Sequence, residues 1–456
     1  MAKLEIAAVV LAAGKGTRMK SGLPKVLHPL AGQPMIGHLL DTLSGLGASR
    51  AVVVVGAGAD QVSAAVQEMT TLPVECVVQG PQLGTAHAVL AARQALTGFE
   101  GDVLVLYGDA PLVRKDTLQS LLAARKQASA PSVVVLGFRP EDTAEYGRLI
   151  VDDDGALLAI REHKDALPHD LQINLCNSGV VAVDGAHLIP LLDRIGNDNL
   201  NGEFYLTDIV EVARSQGLRC EVVEGDADEM LGINSRAQLA DAETVIRDRL
   251  RQAALDGGVT MIDPATVYLS ADTKLGQDVT IEPGVFIGPG VTVGDNVTIR
   301  AYSHLEGASV GNGATVGPFA RLRPEADIGA DARIGNFVEI KKSTIEPGAK
   351  VNHLTYIGDA RIGAGANVGA GTITCNYDGY FKYQTDIGAG AFIGSNSALV
   401  APVKVGDGAI VGAGSVITGD VEADALGVTR APQKGLKGWA ARFRERKSRE
   451  KSEKRS

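Results

Sequence analysis

From Leu269 onward an aliphatic residue returns every six positions, at Leu275, Ile281, Ile287, Val293, Ile299 and Leu305. After a five-residue step the count resumes at Val310, Val316, Leu322, Ile328, Ile334 and Ile340, and again at Ile345, Val351 and Ile357. A further five-residue step leads to Ile362 and Val368, and past an interruption come Ile387, Ile393, Leu399, Val405, Val411 and Ile417. Glycine or a small polar residue commonly follows the aliphatic one. This is the hexapeptide signature of a parallel β-helix. Each six-residue unit makes one flat side of a triangular coil, its aliphatic residue points inward, and the small residues near the corners permit tight turns.

About eighteen residues complete a coil, so the repeat predicts roughly eight to ten stacked coils. No single coil can bury its own core, whereas stacking buries a continuous aliphatic column. A chain with only 4% aromatic residues can be stable in this way. Hexapeptide helices of known families are left-handed, against the usual right-handed crossover preference. The expectation is therefore a left-handed parallel β-helix over residues 251–436.

Up to about residue 228 the grammar is different. Short apolar runs such as "IAAVVLA", "AVVVVG" and "VLVLYGD" alternate with amphipathic stretches such as "PMIGHLLDTLSGLGA" and "TAHAVLAARQAL". That alternation predicts an α/β domain with a parallel sheet covered on both faces, over residues 1–228. Such sheets bind ligands at the carboxyl ends of their strands, where Gly14, Gly16, Arg18 and Asp109 fall. The segment beginning "INSRAQLADAETVIRDRL" has helical periodicity and reads as a linker helix, set at 229–250. Residues 437–456, "RFRERKSREKSEKRS" among them, are basic and poor in apolar residues, and read as a disordered tail.

Composition excludes several classes. A formal net charge of -10 argues against a general nucleic-acid binder. Cys76, Cys176, Cys220 and Cys375 are scattered, with no metal-ligand or disulfide framework, which fits a reducing cytoplasm. No apolar run approaches the roughly 20 residues of a membrane span, so no membrane role is expected.

"LAAGKGTRM" is a glycine-rich loop after a strand, but neither a dinucleotide fingerprint nor a P-loop. Its backbone amides can cradle a triphosphate while Arg18 and Lys25 neutralise charge on a transferred phosphorus. A surface turn with solvated cations is the alternative. Gly84 and Thr85 lie at a strand-to-helix junction, where backbone and hydroxyl can meet a base or phosphate. Asp109 ends a buried-strand run before Pro111, as a magnesium ligand or a structural cap. In the coils, Arg323, Lys341, His353 and Tyr356 break the repeat. "TCNYDGYFKYQTD" interrupts it as a loop, and loop insertions on a solenoid tend to be functional. A lone histidine there can equally be a solvated surface residue.

Taken in order, "LAAGKGTRM...LPKVL", "QLGTAHA", "YGDAPL", "YGR", "EHKDA", "NSG", "GEFYLTD" and "GIN" resemble a sugar nucleotidyltransferase. Specifically they resemble that half of the bifunctional N-acetylglucosamine-1-phosphate uridyltransferase / glucosamine-1-phosphate acetyltransferase family, and the hexapeptide half resembles its acetyltransferase domain. "NSG" stands where "NTG" is common and "GINSR" where "GVNNR" is, and both keep the matched asparagines. The resemblance implies a Rossmann-like nucleotidyltransferase domain, then the left-handed β-helix. It implies a cytoplasmic homotrimer using Mg2+, UTP and acetyl-CoA, and a product that feeds peptidoglycan and lipopolysaccharide synthesis.

The resemblance also implies residue roles. Leu11, Ala12, Ala13, Gly14, Lys25, Gln79, Gly84, Thr85 and Tyr107 would hold the nucleotide, with Arg18 and Lys25 catalytic. Gly147, Glu162, Asn177 and Thr207 would bind the sugar phosphate, and Asp109 and Asn234 would ligate magnesium. His353 would be the base of acetyl transfer, as an imidazole suits with its pKa near the operating pH. Arg323, Lys341, Tyr356, Asn367 and Lys382 would hold glucosamine 1-phosphate. Ala370, Asn376, Tyr377, Ser395, Ala413 and Arg430 would line the acetyl-CoA groove. The rival reading is a monofunctional sugar-1-phosphate nucleotidyltransferase on a purely structural β-helix, in which His353, Lys341, the inserted loop and Arg430 would have no use. In a trimer with active sites between chains, His353 and Arg430 of one site are expected from different subunits.

Overall fold

The computed structural model describes residues 5–143 and 146–454, which divide into two compact units. The first holds the residues up to Ala253 together with Leu269–Asp272, and the second holds the rest.

The main sheet of the first unit contains strands β1 (Ile6–Ala12), β2 (Arg50–Val55), β3 (Val74–Val78), β4 (Asp102–Tyr107), β5 (Val133–Phe138), β6 (Cys176–Asp184) and β7 (Cys220–Glu224). Their spatial order is β7-β5-β6-β4-β1-β2-β3. All seven residues of β1 are buried, and they alternate between two apolar layers. Ala7, Val9 and Leu11 enter one layer, and Ile6, Ala8, Val10 and Ala12 enter the other. A strand covered on both faces must read as a continuous apolar run, as this one does.

The sheet is mixed rather than wholly parallel. β6 runs antiparallel to both β4 and β5, while the other main pairings are parallel. Between β5 and β6 the chain forms the antiparallel pair Arg148–Val151 and Leu157–Arg161 instead of a crossover helix, so β6 enters the sheet reversed.

The expected linker helix spans Arg236–Asp256, several residues later than 229–250. As far as Ala253 it belongs to the first unit: Leu239, Ala242, Val245 and Ile246 join Leu30, Met35, Leu112 and Ile233 in one apolar cluster. An amphipathic helix with such a neighbour buries its stripe rather than standing free.

The second unit is the parallel β-helix, of the left-handed hexapeptide class. One of its sheets stacks ten short strands. Register partners on successive coils lie 18 or 17 residues apart, as in Thr280↔Thr298 and Thr298↔Thr315. Of the aliphatic positions in the six-residue series, only Leu275 is not fully buried. A second buried column lies two positions before the first and consists of small or β-branched residues, among them Ala314, Ala320, Ala349, Thr372 and Ser397. Thr374, 1% exposed, continues the series after Val368. The interruption is a bulging loop between Thr374 and Thr385, and it stretches the register step Ala360↔Thr385 to 25 residues.

The basic tail is not disordered over its described part. Trp439–Glu453 is an α-helix with every residue exposed. Local contacts explain it: Trp439 stacks on Phe443, and Glu450 pairs with Lys447 at 2.6 Å and Arg446 at 3.9 Å. Such pairs at three- and four-residue spacing stabilise a helix that composition alone marks as coil. Residues 455–456 of that tail lie outside the described residues.

Candidate active sites

At the carboxyl ends of β1 and β4 lies a cavity of about 360 Å³. It is lined by Leu11, Ala12, Ala13, Gly14, Lys25, Gln79, Gly84, Thr85, Tyr107 and Asp109, all expected from sequence. Gly14 is exposed, and no atom lies within 4 Å of where its Cβ would stand, so the loop leaves room above its backbone. Gly84 is different. Its φ is +119°, and a Cβ would stand 2.4 Å from the Phe204 carbonyl oxygen, so only glycine fits this junction. Thr85 begins the following helix, and its hydroxyl accepts the Leu206 amide at 2.8 Å. Gln79, 6% exposed, donates to the Gly84 carbonyl at 3.2 Å, which ties the end of β3 to that helix.

Lys25 is the electrostatic centre. Its ammonium donates to the Asp109 carboxylate and, at 2.9 Å, to the Asn234 side-chain oxygen. Two oxygen ligands from distant segments thus converge on one cation. The donor set suits magnesium, which is held by one or two protein oxygens and completes its shell with water and phosphate. Among the described residues no group of three or more His, Cys, Asp or Glu forms a metal cage, so a metal here would depend on substrate oxygens.

Tyr107 joins this cavity to a second group. Burial, reinforced by the Glu162 and Asp109 carboxylates, pushes its phenol above the ordinary range, so it stays a donor. Burial likewise raises the Glu162 carboxyl, and a hydrogen bond from Thr207 at 3.2 Å partly offsets this. Asp208 is pushed up to about 6 by burial and then by Glu211 and Glu162. Asn177 donates its amide to the Gly147 carbonyl at 2.9 Å. Glu162 with Thr207 and Asn177 with Gly147 thus form two hydrogen-bonded pairs, and none of the four lines the cavity itself.

Arg18 sits exposed on the turn Thr17–Met19 and is not brought to the cavity wall. Sequence reasoning missed Gln82, Val26, Ala88 and Glu203 in the lining. Gln82 lies within "QLGTAHA" and hydrogen-bonds the Ala13 carbonyl, so the motif itself carried its signal. Arg236 was missed too. It donates to the Met19 carbonyl and to His28 Nδ1, both at 3.3 Å, and so fastens the turn bearing Arg18.

On the β-helix the expected residues separate into two sets. One is a row along a single edge. His353 pairs in register with Asn336, its carbonyl accepts the Gly371 amide, Ala370 accepts from Asn396, Ser395 accepts from Gly414, and Arg430 reaches the Ala413 carbonyl. His353, Ala370, Ser395, Ala413 and Arg430 thus occupy successive levels. With coils about 4.8 Å apart, the row suits an extended ligand. Thr429 bonds back to Ser415 and Val416, which returns the chain along the same edge. His353 and Arg430 thus stand four levels apart on one edge of the β-helix.

The other set is cationic. Lys382, first by hydrogen bonding and then by repulsion, holds the Lys341 ammonium below its ordinary range, and Arg323 adds to the effect. Arg323 is partly neutralised by Glu339 at 2.8 Å. Asp359 offsets the effect on Lys341 in part, and the three cations together still suit a phosphate. Tyr356 pairs in register with Glu339. Asn376 and Tyr377, expected on the coenzyme groove, lie on the bulging loop with Lys382: Tyr377 bridges to Lys382, and Asn376 binds Asp359. Asn367, expected beside Lys341, pairs with Lys350 and Phe392 on the sheet that carries His353.

Residues 8–163 match the family model of the MobA-like NTP transferase domain. Residues 272–307, 307–342 and 385–419 match that of the bacterial transferase hexapeptide (six repeats). The chain is 60% identical over 454 residues, all of both chains, to the bifunctional protein GlmU of Paramagnetospirillum magneticum. It is 61% identical over 438 residues to that of Rhodospirillum rubrum, covering 96% of this chain and 97% of the relative. It is 62% identical over 439 residues to that of Rhizorhabdus wittichii, 96% of each.

Proposed function

Because the chain belongs to the family of bifunctional GlmU proteins, we propose that each of its two units carries one step of UDP-N-acetylglucosamine synthesis. The enzyme transfers acetyl from acetyl-CoA to glucosamine 1-phosphate, then uridylyl from UTP to N-acetylglucosamine 1-phosphate. The observation that carries the division is that the Lys25 centre and the His353 row lie in different units. A purely structural β-helix would need neither the row nor the cationic set.

In the first unit a phosphate oxygen of the sugar phosphate attacks the α-phosphorus of UTP in line, and pyrophosphate leaves. Positioning and charge neutralisation carry such a reaction. Lys25 is aimed at the triphosphate, the loop at Gly14 gives it backbone amides, and Gln79, Gly84 and Thr85 bound the base. Tyr107 and Glu162 orient the sugar. Magnesium, when bound at Asp109 and Asn234, supplies further neutralisation of phosphate charge.

In the second unit the amine of glucosamine 1-phosphate attacks the thioester carbonyl carbon. His353 takes the amine proton, the carbon–sulfur bond breaks, and the proton passes from His353 to the departing sulfur, so coenzyme A leaves as its thiol. Arg323, Lys341 and Lys382 hold the phosphate while the edge from Ala370 to Arg430 holds acetyl-CoA.

A cleavage experiment tests the division. A fragment ending at residue 253 keeps Asn234 and most of the helix Arg236–Asp256 that follows it, and is expected to retain uridylyl transfer and lose all acetyl transfer. Acetylation by that fragment would refute the assignment.

We further propose a C3 homotrimer in the cytoplasm. Tyr302, Phe319 and Phe337 stack in a ladder along one corner, 61%, 47% and 55% exposed, with Leu354 next to them at 63%. So large an apolar strip asks for a partner. His353 and Lys341 flank opposite ends of one coil face, at the corners Leu354 and Lys342, and a site using both is closed between subunits in this reading. Co-refolding His353→Ala with Lys341→Ala is expected to restore acetylation in about a quarter of sites of random mixed trimers. No recovery, with mixed trimers verified by mass, would place both residues in one subunit.

A further inference from the structure

We propose that Asn336 is a positioning residue for acetyl transfer: its side-chain oxygen takes the Nδ1 hydrogen of His353 and leaves the Nε2 lone pair for the substrate amine. The proposal rests on reading His353 as the base. Asn336 Oδ1 lies 2.7 Å from His353 Nδ1. An amide oxygen can only accept, so with Oδ1 turned to the ring this contact is a hydrogen bond when Nδ1 carries the hydrogen.

The pairing is built into the coil. Asn336 and His353 are register partners on adjacent rungs, 17 residues apart. The Asn336 carbonyl accepts the Leu354 amide at 3.1 Å, so one residue holds both the side chain and the turn that follows it. The His353 carbonyl accepts the Thr355 hydroxyl at 2.7 Å and the Gly371 amide at 3.2 Å. Beside the pair the rungs approach so closely that a Cβ on Gly335 would stand 1.9 Å from the Asn352 oxygen. His353 is exposed, and an exposed imidazole without this bond turns freely and exchanges its proton between nitrogens. The same arrangement fixes ring orientation wherever a histidine's second nitrogen is hydrogen-bonded to an acceptor.

The test uses the full-length enzyme with both activities assayed. Asn336→Leu keeps the volume and removes the acceptor; it should lower kcat for acetylation about 10²-fold, the cost of misplacing a reacting group. KM for both acetylation substrates should stay within about twofold, since no ground-state contact is removed. Uridylyl transfer should not change and reports folding. Asn336→Asp, which can only accept, should recover to within about tenfold of the parent. Nitrogen-15 imidazole spectra of the parent should show His353 protonated at Nδ1 at high pH, and Asn336→Leu should lose that preference. An Nε2–H tautomer in the parent, an unaltered kcat in Asn336→Leu, or an Asn336→Asp as slow as Asn336→Leu would overturn the proposal. His353→Ala separates the two levels. If it stays active, the base assignment fails; if it is inactive while Asn336→Leu is fully active, only the positioning role fails.

Discussion

Replacing Asp109 by alanine is expected to reduce magnesium-dependent uridylyl transfer about 10³-fold, the scale of removing one preorganised group from a charged transition state. The carboxylate is one of two oxygens that converge on the Lys25 ammonium. Without it Lys25 keeps only Asn234, and a divalent cation held as proposed would lose its one charged protein ligand. The side chains of Lys25 and Asp109 are only 13% and 17% exposed, so the change also leaves a nearly buried ammonium undercompensated. Thermal unfolding therefore has to be read alongside the rate. Acetyl transfer by the same variant should be unaltered, because the second unit holds none of these residues. Pyrophosphate release and acetyl-CoA consumption, measured on one preparation, give both rates. Equal loss of the two would assign the effect to folding.

The reverse pattern is expected for His353→Ala. Acetyl transfer should fall about 10²–10⁴-fold, the usual contribution of a positioned base. Little loss of stability should accompany it, since the His353 side chain is exposed and its coil is held by the buried Val351 and Ile357 on either side. Uridylyl transfer should remain intact. A variant that kept full acetylation would leave the row from His353 to Arg430 as a binding edge without a base, and another group would have to take the amine proton.

The repeat in the second half was readable because it is local. A residue that must enter a narrow column every sixth position writes its burial directly into the sequence, and every aliphatic position but Leu275 proved fully buried. The companion column of Ala, Ser, Thr and Val was legible only in retrospect, because such residues are common at the surface as well as inside. For the same reason Thr374 hid the continuation of the coil into the apparent gap. The glycine-rich loop, Asp109 and the junction at Gly84 were readable for a related reason: each lies at the end of an apolar run, where a parallel sheet presents its ligands.

Other features depend on where distant segments meet. The reversed strand Cys176–Asp184 follows from a hairpin excursion that no apolar pattern announces. The helix Trp439–Glu453 rests on side-chain pairs that outweigh a coil-like composition. Gln82, Arg236 and Asn336 carry no periodic signal, and each acts through a neighbour 69, 217 or 17 residues away in the chain. Periodicity and motif order alone mark an α/β half and a coiled half, and the chemistry that each half can hold. Which side chains share a site follows from the folded chain, because register between rungs, not spacing along the chain, sets the distances over which a proton or a phosphate is held.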